Sequence, residues 1–315
     1  MHPASSIIFF TTSAGAGYGL LFLIGLAAPV GLIPDGRWLG FVTLGLALGL
    51  AVAGLVSSTF HLGHPERAWR AMSQWRSSWL SREGVAALVT FAPAGLFAIG
   101  WVFLEATGGV WGLFGLLAAA GAVVTVGCTA MIYASLKTIR QWHNPFVLPL
   151  YLAFALMSGA LWLNVLLHFF GAQGLWSDLL ALVSPILAWG LKMAYWRDVD
   201  GATGASTPET ATGLGAIGQV RLLEPPHTDQ NYLMREMGFT IARKHAEKLR
   251  RIALFLGLGC CVVLAAVALF TSGVISGIAV FLAAVAGSLS ILLERWLFFA
   301  EATHTVMLYY GARSA

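Results

Sequence analysis

Long apolar runs follow one another along almost the whole chain, and they constrain its fold more than any other feature. Eight of them are about as long as a helix needs to cross a bilayer, at approximately 7–33, 38–61, 84–106, 110–136, 147–170, 174–196, 250–272 and 275–298. With 58% hydrophobic and only 10% charged residues, the chain is not an ordinary soluble domain. The fold predicted is an all-α integral membrane protein, a bundle of eight transmembrane helices that forms one domain over residues 1–315.

Charge in the connections between the runs predicts how the bundle lies in the membrane. Three connections are long and polar, at 61–83, 137–145 and 197–249, and an even number of spans puts them on one side together with both termini. Of the 18 Lys and Arg residues, only Arg37 falls in a loop on the other side. By the positive-inside rule, both termini and the long loops are expected to be cytoplasmic.

Two local expectations follow from this layout. Lys192 and Arg295 are placed at the membrane edge nearest the long loops. The segment 197–249 is expected to be an extramembrane loop, and its second half, from about 231 to 251, to form an amphipathic helix that leads into the seventh span.

The densest polar segment is 61–83, HLGHPERAWRAMSQWRSSWLSRE, which lies between two apolar runs. His61 closes the second span and Glu83 opens the third, so both are expected at the cytoplasmic edge of the bundle. An imidazole and a carboxylate there could bind a quinone head group and exchange its protons. The alternative is a pair of interfacial residues that cap helix ends, and spacing alone favours this alternative.

Aromatic and basic residues alternate through the same segment at helical spacing. This pattern is typical of an aromatic belt with arginines that reach the lipid head groups. A docking surface for an acidic partner, or a wall of a quinone pocket, is compatible with it. The residues concerned are Trp69, Met72, Trp75, Trp79, Arg67, Arg70 and Arg76.

A second polar cluster follows the last apolar run, beginning with Glu294 and Arg295. Adjacent residues on a helix point about 100° apart, so these two are expected to bond different partners. Anchoring at the membrane edge is the favoured interpretation, and a contribution to the pocket near Glu83 is the alternative. Tyr133 is a weaker candidate of the same kind.

Histidine and cysteine positions do not predict a metal centre. Haem ligation by two histidines needs a pair at similar depth on facing helices. Only His168 approaches the interior of a span, at the membrane face opposite His61, and it is interpreted as an interfacial or satisfied core residue. The three cysteines lie inside apolar runs without CxxC spacing, so neither a metal site nor a disulfide framework is expected.

Five stretches resemble the membrane anchors of the DmsC family, namely TFHLGHPERAWRAM, SWLSREGV, MIYASLKTIRQWHNP, RLLEPPHT and ERWLFFAEATHTVMLYYG. The resemblance extends over most of the chain and implies a multi-pass protein of the bacterial cytoplasmic (inner) membrane. Such anchors belong to assemblies of three different subunits, in which other chains hold the molybdopterin and the iron–sulfur clusters. The anchor itself binds quinone, ubiquinone or menaquinone, without haem.

The family's histidine and glutamate that are implicated in quinol binding match His61 and Glu83. The expected quinone site consists of His61, Glu83, His64, Arg67, Trp69 and Arg82. Further pocket or docking residues are expected at Arg70, Arg76, Trp79, Tyr133, Arg221, Glu294 and Arg295.

The resemblance also implies partners. A four-cluster iron–sulfur subunit is expected to dock on the cytoplasmic face and to carry the molybdopterin subunit, with lipid around the bundle and no nucleic acid. The cytoplasmic docking face and the RLLEPPHT loop favour a quinone-reducing sulfite dehydrogenase. An anchor that oxidises menaquinol for dimethyl sulfoxide reduction is the alternative. A secondary transporter is the rival class, disfavoured because the ionisable residues cluster at span ends, and a purely structural anchor remains open.

Overall fold

The computed structural model describes residues 4–60, 64–201, 206–229, 231–237 and 241–315, which form helices and loops without any strand. Within this part of the chain, eight helical segments are long and apolar enough to cross a membrane, as predicted. In chain order the helices are α1 (Ser5–Ala27), α2 (Arg37–Thr59), α3 (Trp79–Ala98), α4 (Gly109–Ala134), α5 (Val147–Phe169), α6 (Leu175–Gly201), α7 (Pro208–Thr212), α8 (Tyr232–Met237), α9 (Ile241–Leu254), α10 (Cys261–Phe270) and α11 (Gly273–Ala300).

The first six spans correspond to the helices α1 to α6, and the eighth span is α11. The third span continues beyond α3 through a π-helical segment, Ile99–Phe103, and the seventh consists of the end of α9, a π-helical segment at Phe255–Cys260, and α10. Short 3₁₀ helices lie outside the spans, at Pro65–Gln74, Leu214–Ala216 and Thr305–Leu308.

The ends of the helices differ from the hydropathy boundaries by several residues. The helix α3 starts at Trp79 rather than near 84, and α6 continues to Gly201 rather than stopping near 196. Backbone hydrogen bonding does not stop where a sequence turns polar, so a helix runs on past its apolar core. The helix expected from 231 to 251 is found as α8 and α9, and the residues between them lie outside the described part of the chain.

Helix α1 lies at the centre of the bundle and packs against α2, α4, α5 and α11. Small residues allow its closest approach, to α5: a Cβ added at Gly19 would lie 1.8 Å from the carbonyl oxygen of Ala155, and one added at Gly159 would lie 2.3 Å from the carbonyl carbon of Gly19. Only glycines let two backbones meet this closely. The crossing fixes the depth of Tyr18 on α1 relative to Ser158 on α5.

Successive spans run antiparallel. The end of α2 meets the start of α1, where Ser57 Oγ donates a hydrogen bond to the carbonyl of Ser6 at 3.1 Å. Likewise, the start of α3 meets the end of α4 through Glu83 and Thr129. The N-terminal end of α1 and the three long polar connections therefore lie at one end of the bundle, which we call the long-loop end.

Candidate functional site

Glu83 is a buried carboxylate one turn into α3. Only 4% of the residue is exposed. The hydroxyl of Thr129, on the facing helix α4, donates a hydrogen bond to its Oε1. Because α3 starts at Trp79, Glu83 lies inside the bundle near its long-loop end rather than at its rim. Its predicted companion His61 lies outside the described residues.

The segment that precedes Glu83 in the sequence lies on the surface. Its 3₁₀ helix, Pro65–Gln74, packs against α3, where the hydroxyl of Ser81 bonds the carbonyl of Ala71. Arg82 fixes the residues just before α3 to that helix, because its guanidinium donates hydrogen bonds to the carbonyls of Trp75 and Arg76 at 3.0 and 2.7 Å. The same group lies 4.2 Å from the ring centroid of Trp79, in a cation–π contact.

The other predicted residues of this segment face outward. The imidazole Nδ1 of His64 lies 3.1 Å from Oε1 of Glu66, and Nε of Arg67 lies 3.6 Å from the same oxygen. Trp69 and Trp75 are exposed, with the guanidinium groups of their neighbours Arg70 and Arg76 each 5.5 Å from the adjacent indole. Within the described residues, no hydrogen bond or ion pair joins this outer set to Glu83.

A buried ion cluster lies deeper in the bundle and consists of Lys192 on α6 with Glu294 and Arg295 on α11. Lys192 Nζ is 2.5 Å from Glu294 Oε1, and Arg295 Nε is 2.5 Å from Glu294 Oε2. None of the three residues is more than 2% exposed. Two cations share one carboxylate, so the cluster carries a formal charge of +1 inside the bundle.

This cluster corrects one sequence prediction and bears on another. Glu294 and Arg295 bond each other, although adjacent positions on a helix predicted different partners, because the long arginine side chain turns back to one carboxylate oxygen and leaves the other to Lys192. The placement of Lys192 and Arg295 at the membrane edge nearest the long loops is a statement about depth and stays a prediction. Both are enclosed by neighbouring spans, since each has an opposite charge to meet there.

Aromatic rings surround the cluster. The guanidinium of Arg295 lies 4.0 Å from the ring centroid of Tyr151, and Lys192 Nζ lies 4.2 Å from that of Tyr195. Tyr133, a weaker candidate from the sequence, stacks on Tyr151 with ring centroids 5.9 Å apart and is itself buried. Ring faces stabilise buried cations and exclude lipid from them.

A small cavity of about 20 Å³ with both apolar and polar lining residues lies between Glu83 and this ion cluster. Thr129, which bonds Glu83, lines one part of it, and Arg295 lines another. The remaining polar lining comes from α1 and α5, as Thr11, Thr12, Tyr18, Tyr151 and Ser158. The structure therefore brings Glu83 into one polar region with Glu294 and Arg295, although four spans lie between them in the sequence.

A second ion network lies at the long-loop end of the bundle and links α6, α9 and the residue that follows α11. Arg250 Nη1 lies 2.6 Å from Asp200 Oδ2, and its Nε lies 2.8 Å from Glu301 Oε1. The indole of Trp196 separates this network from the buried cluster, since Arg250 and Lys192 lie 5.0 and 5.2 Å from its ring centroid. Sequence reasoning missed this network, because its members come from three distant segments of the chain.

The predicted residue Arg221 lies elsewhere, in a groove of about 1390 Å³ formed by residues 206–222 and 304–313. His304 lines the same groove, and its Nδ1 accepts a hydrogen bond from the backbone N–H of Val306 at 2.9 Å. Burial lowers the pKa of His304 below its ordinary value, which favours this neutral, accepting form. The groove lies outside the eight candidate spans and is distinct from the polar region around Glu83.

His168 is a satisfied core residue, in agreement with the sequence interpretation. Its Nδ1 lies 2.9 Å from the carbonyl oxygen of Asn164, and its Nε2 lies 3.6 Å from Oδ1 of Asp178. Across the described residues, no three His, Cys, Asp or Glu side chains are grouped as metal ligands would be.

Comparison with known proteins places this architecture in a family. Residues 1–299 match the model of the DMSO reductase anchor subunit (DmsC) family. A sulfite dehydrogenase subunit of Allochromatium vinosum is 32% identical over 332 aligned positions, which cover 98% of this chain and 99% of that protein. The anaerobic dimethyl sulfoxide reductase chain YnfH of Escherichia coli K12 is 31% identical over 123 positions, or 38% of this chain and 41% of that protein. This protein is therefore a multi-pass membrane protein of the DMSO reductase anchor subunit (DmsC) family.

Proposed function

We propose that the chain is the membrane anchor and quinone-reactive subunit of a three-subunit oxidoreductase, with molybdopterin and iron–sulfur clusters in its partners. The observation that carries this proposal is the burial of Glu83 near one end of an eight-helix anchor. A carboxylate within a span is costly, and it is retained where the protein uses it. Family membership supports the anchor role and does not favour a transporter.

The proposal gives each end of the segment 61–83 a chemical role. A bound quinone accepts two electrons and two protons when it is reduced. His61 donates a hydrogen bond to a quinone carbonyl, and Glu83 delivers a proton to the reduced oxygen. Electrons arrive from an iron–sulfur cluster of the partner. The cavity behind Glu83, at about 20 Å³, has room for about one water molecule, so a head group approaches Glu83 from the opposite, outer side.

The surface segment that precedes α3, residues 64–78, contributes to the same site. Arg82 fixes it to α3 by bonds to two backbone carbonyls, so its position relative to Glu83 is set. His64, Arg67 and Trp69 are exposed beside that position and form the entrance. The pairs Trp69–Arg70 and Trp75–Arg76 present a basic, aromatic surface that suits an acidic iron–sulfur subunit.

Sidedness and substrate complete the proposal. The long-loop end faces the cytoplasm of a bacterium, because the Lys and Arg residues concentrate there, and the iron–sulfur subunit docks on it. The relative aligned over 98% of the chain is a sulfite dehydrogenase subunit, so the catalytic partner is proposed to oxidise sulfite and the anchor to pass its electrons to quinone. Menaquinol oxidation for dimethyl sulfoxide reduction is the runner-up, supported by a shorter alignment.

Replacement of the two proposed quinone residues tests this function. In the purified complex, His61→Leu and Glu83→Gln should each lower sulfite-dependent reduction of a short-chain ubiquinone by roughly 100-fold, the contribution typical of a positioned acid or base. The rate of sulfite oxidation with ferricyanide, a soluble electron acceptor, is measured on the same preparations, and the quinone-reduction rates are divided by it. Glu247→Gln changes an exposed carboxylate of α9, away from the proposed site, and should leave quinone reduction unchanged. Full quinone turnover in both site variants would disprove the assignment.

A further inference from the structure

The cavity behind Glu83 contains polar atoms that have no hydrogen-bond partner among the described residues. They are the hydroxyls of Thr12, Tyr18 and Tyr151 and the Nη1 of Arg295. Tyr18 and Arg295 are each 2% exposed, so bulk water does not satisfy them. A buried polar group without a partner is costly, and a water molecule bound by two to four such groups needs a space of about this size.

We infer that this cavity binds one ordered water molecule, which passes protons to Glu83. This inference rests on the proposed function, because it explains how Glu83 regains the proton that it gives to the quinone. Contacts on the two sides of the cavity support the inference. Thr129 reaches Glu83 on one side, and Arg295 reaches Glu294 and Lys192 on the other.

The direction of the hydrogen bonds favours transfer toward Glu83. An arginine has only donor groups and does not release its proton in proteins. Arg295 therefore donates to the oxygen of the water, whose own hydrogens must point to acceptors such as the hydroxyl of Thr129. The hydroxyl of Thr129 in turn donates to Glu83. The chain of donors runs from Arg295 through water and Thr129 to the carboxylate.

The proton transfer balances along this chain. When the Glu83 O–H bond breaks and an O–H bond forms on the quinone, Glu83 becomes a carboxylate. The Thr129 hydroxyl then gives its proton to Glu83 and takes one from the water. The water is reprotonated from solvent at the long-loop end, which is the nearer end of the bundle because Thr12 of the cavity lining lies about two turns from the start of α1. Glu294 and Lys192 act as positioning residues, because they hold Arg295 in place.

Substitution of Thr129 tests the pathway. Thr129→Val removes the hydroxyl but keeps the volume, and it should slow quinone reduction by about 10-fold or more relative to ferricyanide turnover, with a larger solvent deuterium isotope effect. Thr129→Ser restores a hydroxyl and should recover most of the rate. The matched control is Thr43→Val in α2, a threonine that is likewise buried and donates to the carbonyl of Leu39 at 2.6 Å, outside the cavity.

The outcomes separate this inference from the proposed function. If Glu83→Gln loses quinone turnover while Thr129→Val keeps its rate, pH profile and isotope effect, the water pathway is wrong and the quinone site stands. If Glu83→Gln keeps full turnover, Glu83 is not the proton donor and the water pathway fails with it, and if His61→Leu also keeps full turnover, the proposed function itself fails. A structure of the complex that resolves ordered water gives an independent check: density is expected between Tyr18, Thr129 and Arg295, and a dry cavity there would overturn the inference. This check does not depend on whether Thr129→Val assembles.

Discussion

Glu294 is the residue on which the polar interior depends most directly. Its carboxylate meets Lys192 with one oxygen and Arg295 with the other, each at 2.5 Å. Removing charges from water is expensive, and a buried pair compensates for that cost only while every charge keeps its partner. The stability of this region is therefore sensitive to Glu294 rather than to either cation alone.

Glu294→Gln should destabilise the protein by about 3–5 kcal/mol, because it leaves two buried cations without a counter-charge. The matched control is Glu247→Gln, which breaks an exposed ion pair with Arg251 and should cost at most about 1 kcal/mol. Unfolding of the detergent-solubilised complex, followed by loss of tryptophan fluorescence on heating, compares the two. Equal midpoints for the two variants would contradict the structural importance assigned to the buried cluster.

Sequence reasoning identified Glu83, Glu294 and Arg295 as candidates but missed Lys192, Tyr18 and Thr129. The first three stand out because carboxylates and arginines are rare in this chain and lie at the ends of apolar runs. Lys192 also lies near the end of a run, and hydropathy treats such a lysine as an edge residue. Its burial is explained only by Glu294, which lies on another span, and pairing between spans cannot be read from a single sequence.

At the level of helices, the number of spans was predictable and their packing was not. Each span is apolar on all sides, so its hydrophobic pattern does not tell which face meets protein and which meets lipid. Glycines supply part of that information, but 36 of them are spread through the chain. Only the structure shows that Gly19 and Gly159 allow α1 and α5 to touch, whereas Gly45 has open space around it.

Gly19→Ala should therefore push α1 away from α5, since its new Cβ would meet the backbone of Ala155. We expect a loss of stability of at least about 1–3 kcal/mol, the usual cost of overpacking. A loss of quinone-coupled turnover should accompany it, because the same two helices form the walls of the cavity behind Glu83. Thermal unfolding and quinone reduction of the same preparation measure both effects.

Gly45→Ala is the matched control, because nothing lies within 4 Å of the position that its Cβ would occupy. Its stability should stay within about 1 kcal/mol of the parent, the size of the intrinsic difference between glycine and alanine in a helix. If Gly19→Ala behaved like Gly45→Ala, the close crossing of α1 and α5 would not be what positions the cavity.

For the whole molecule, the polar features that the proposed function uses share one end of the bundle. Glu83, the buried cluster around Glu294, the Arg250 network and the groove beside His304 all lie at or near the long-loop end. An anchor that receives electrons from a partner on this face and exchanges protons on the same face moves no net charge across the membrane in the reaction. The side on which this end lies thus decides where protons are taken up.

Labelling of single cysteines tests that side directly. Leu223→Cys lies in the long loop and is 94% exposed, and Gln173→Cys lies in the exposed short connection after α5. In intact spheroplasts, a membrane-impermeant maleimide should label Gln173→Cys at once and Leu223→Cys only after the membrane is opened. The parent chain measures the background from Cys128, Cys260 and Cys261, of which Cys128 and Cys261 are buried. The reverse pattern would place the docking face and proton uptake in the periplasm. The assignment to a sulfite-oxidising complex with cytoplasmic catalytic subunits would then be wrong.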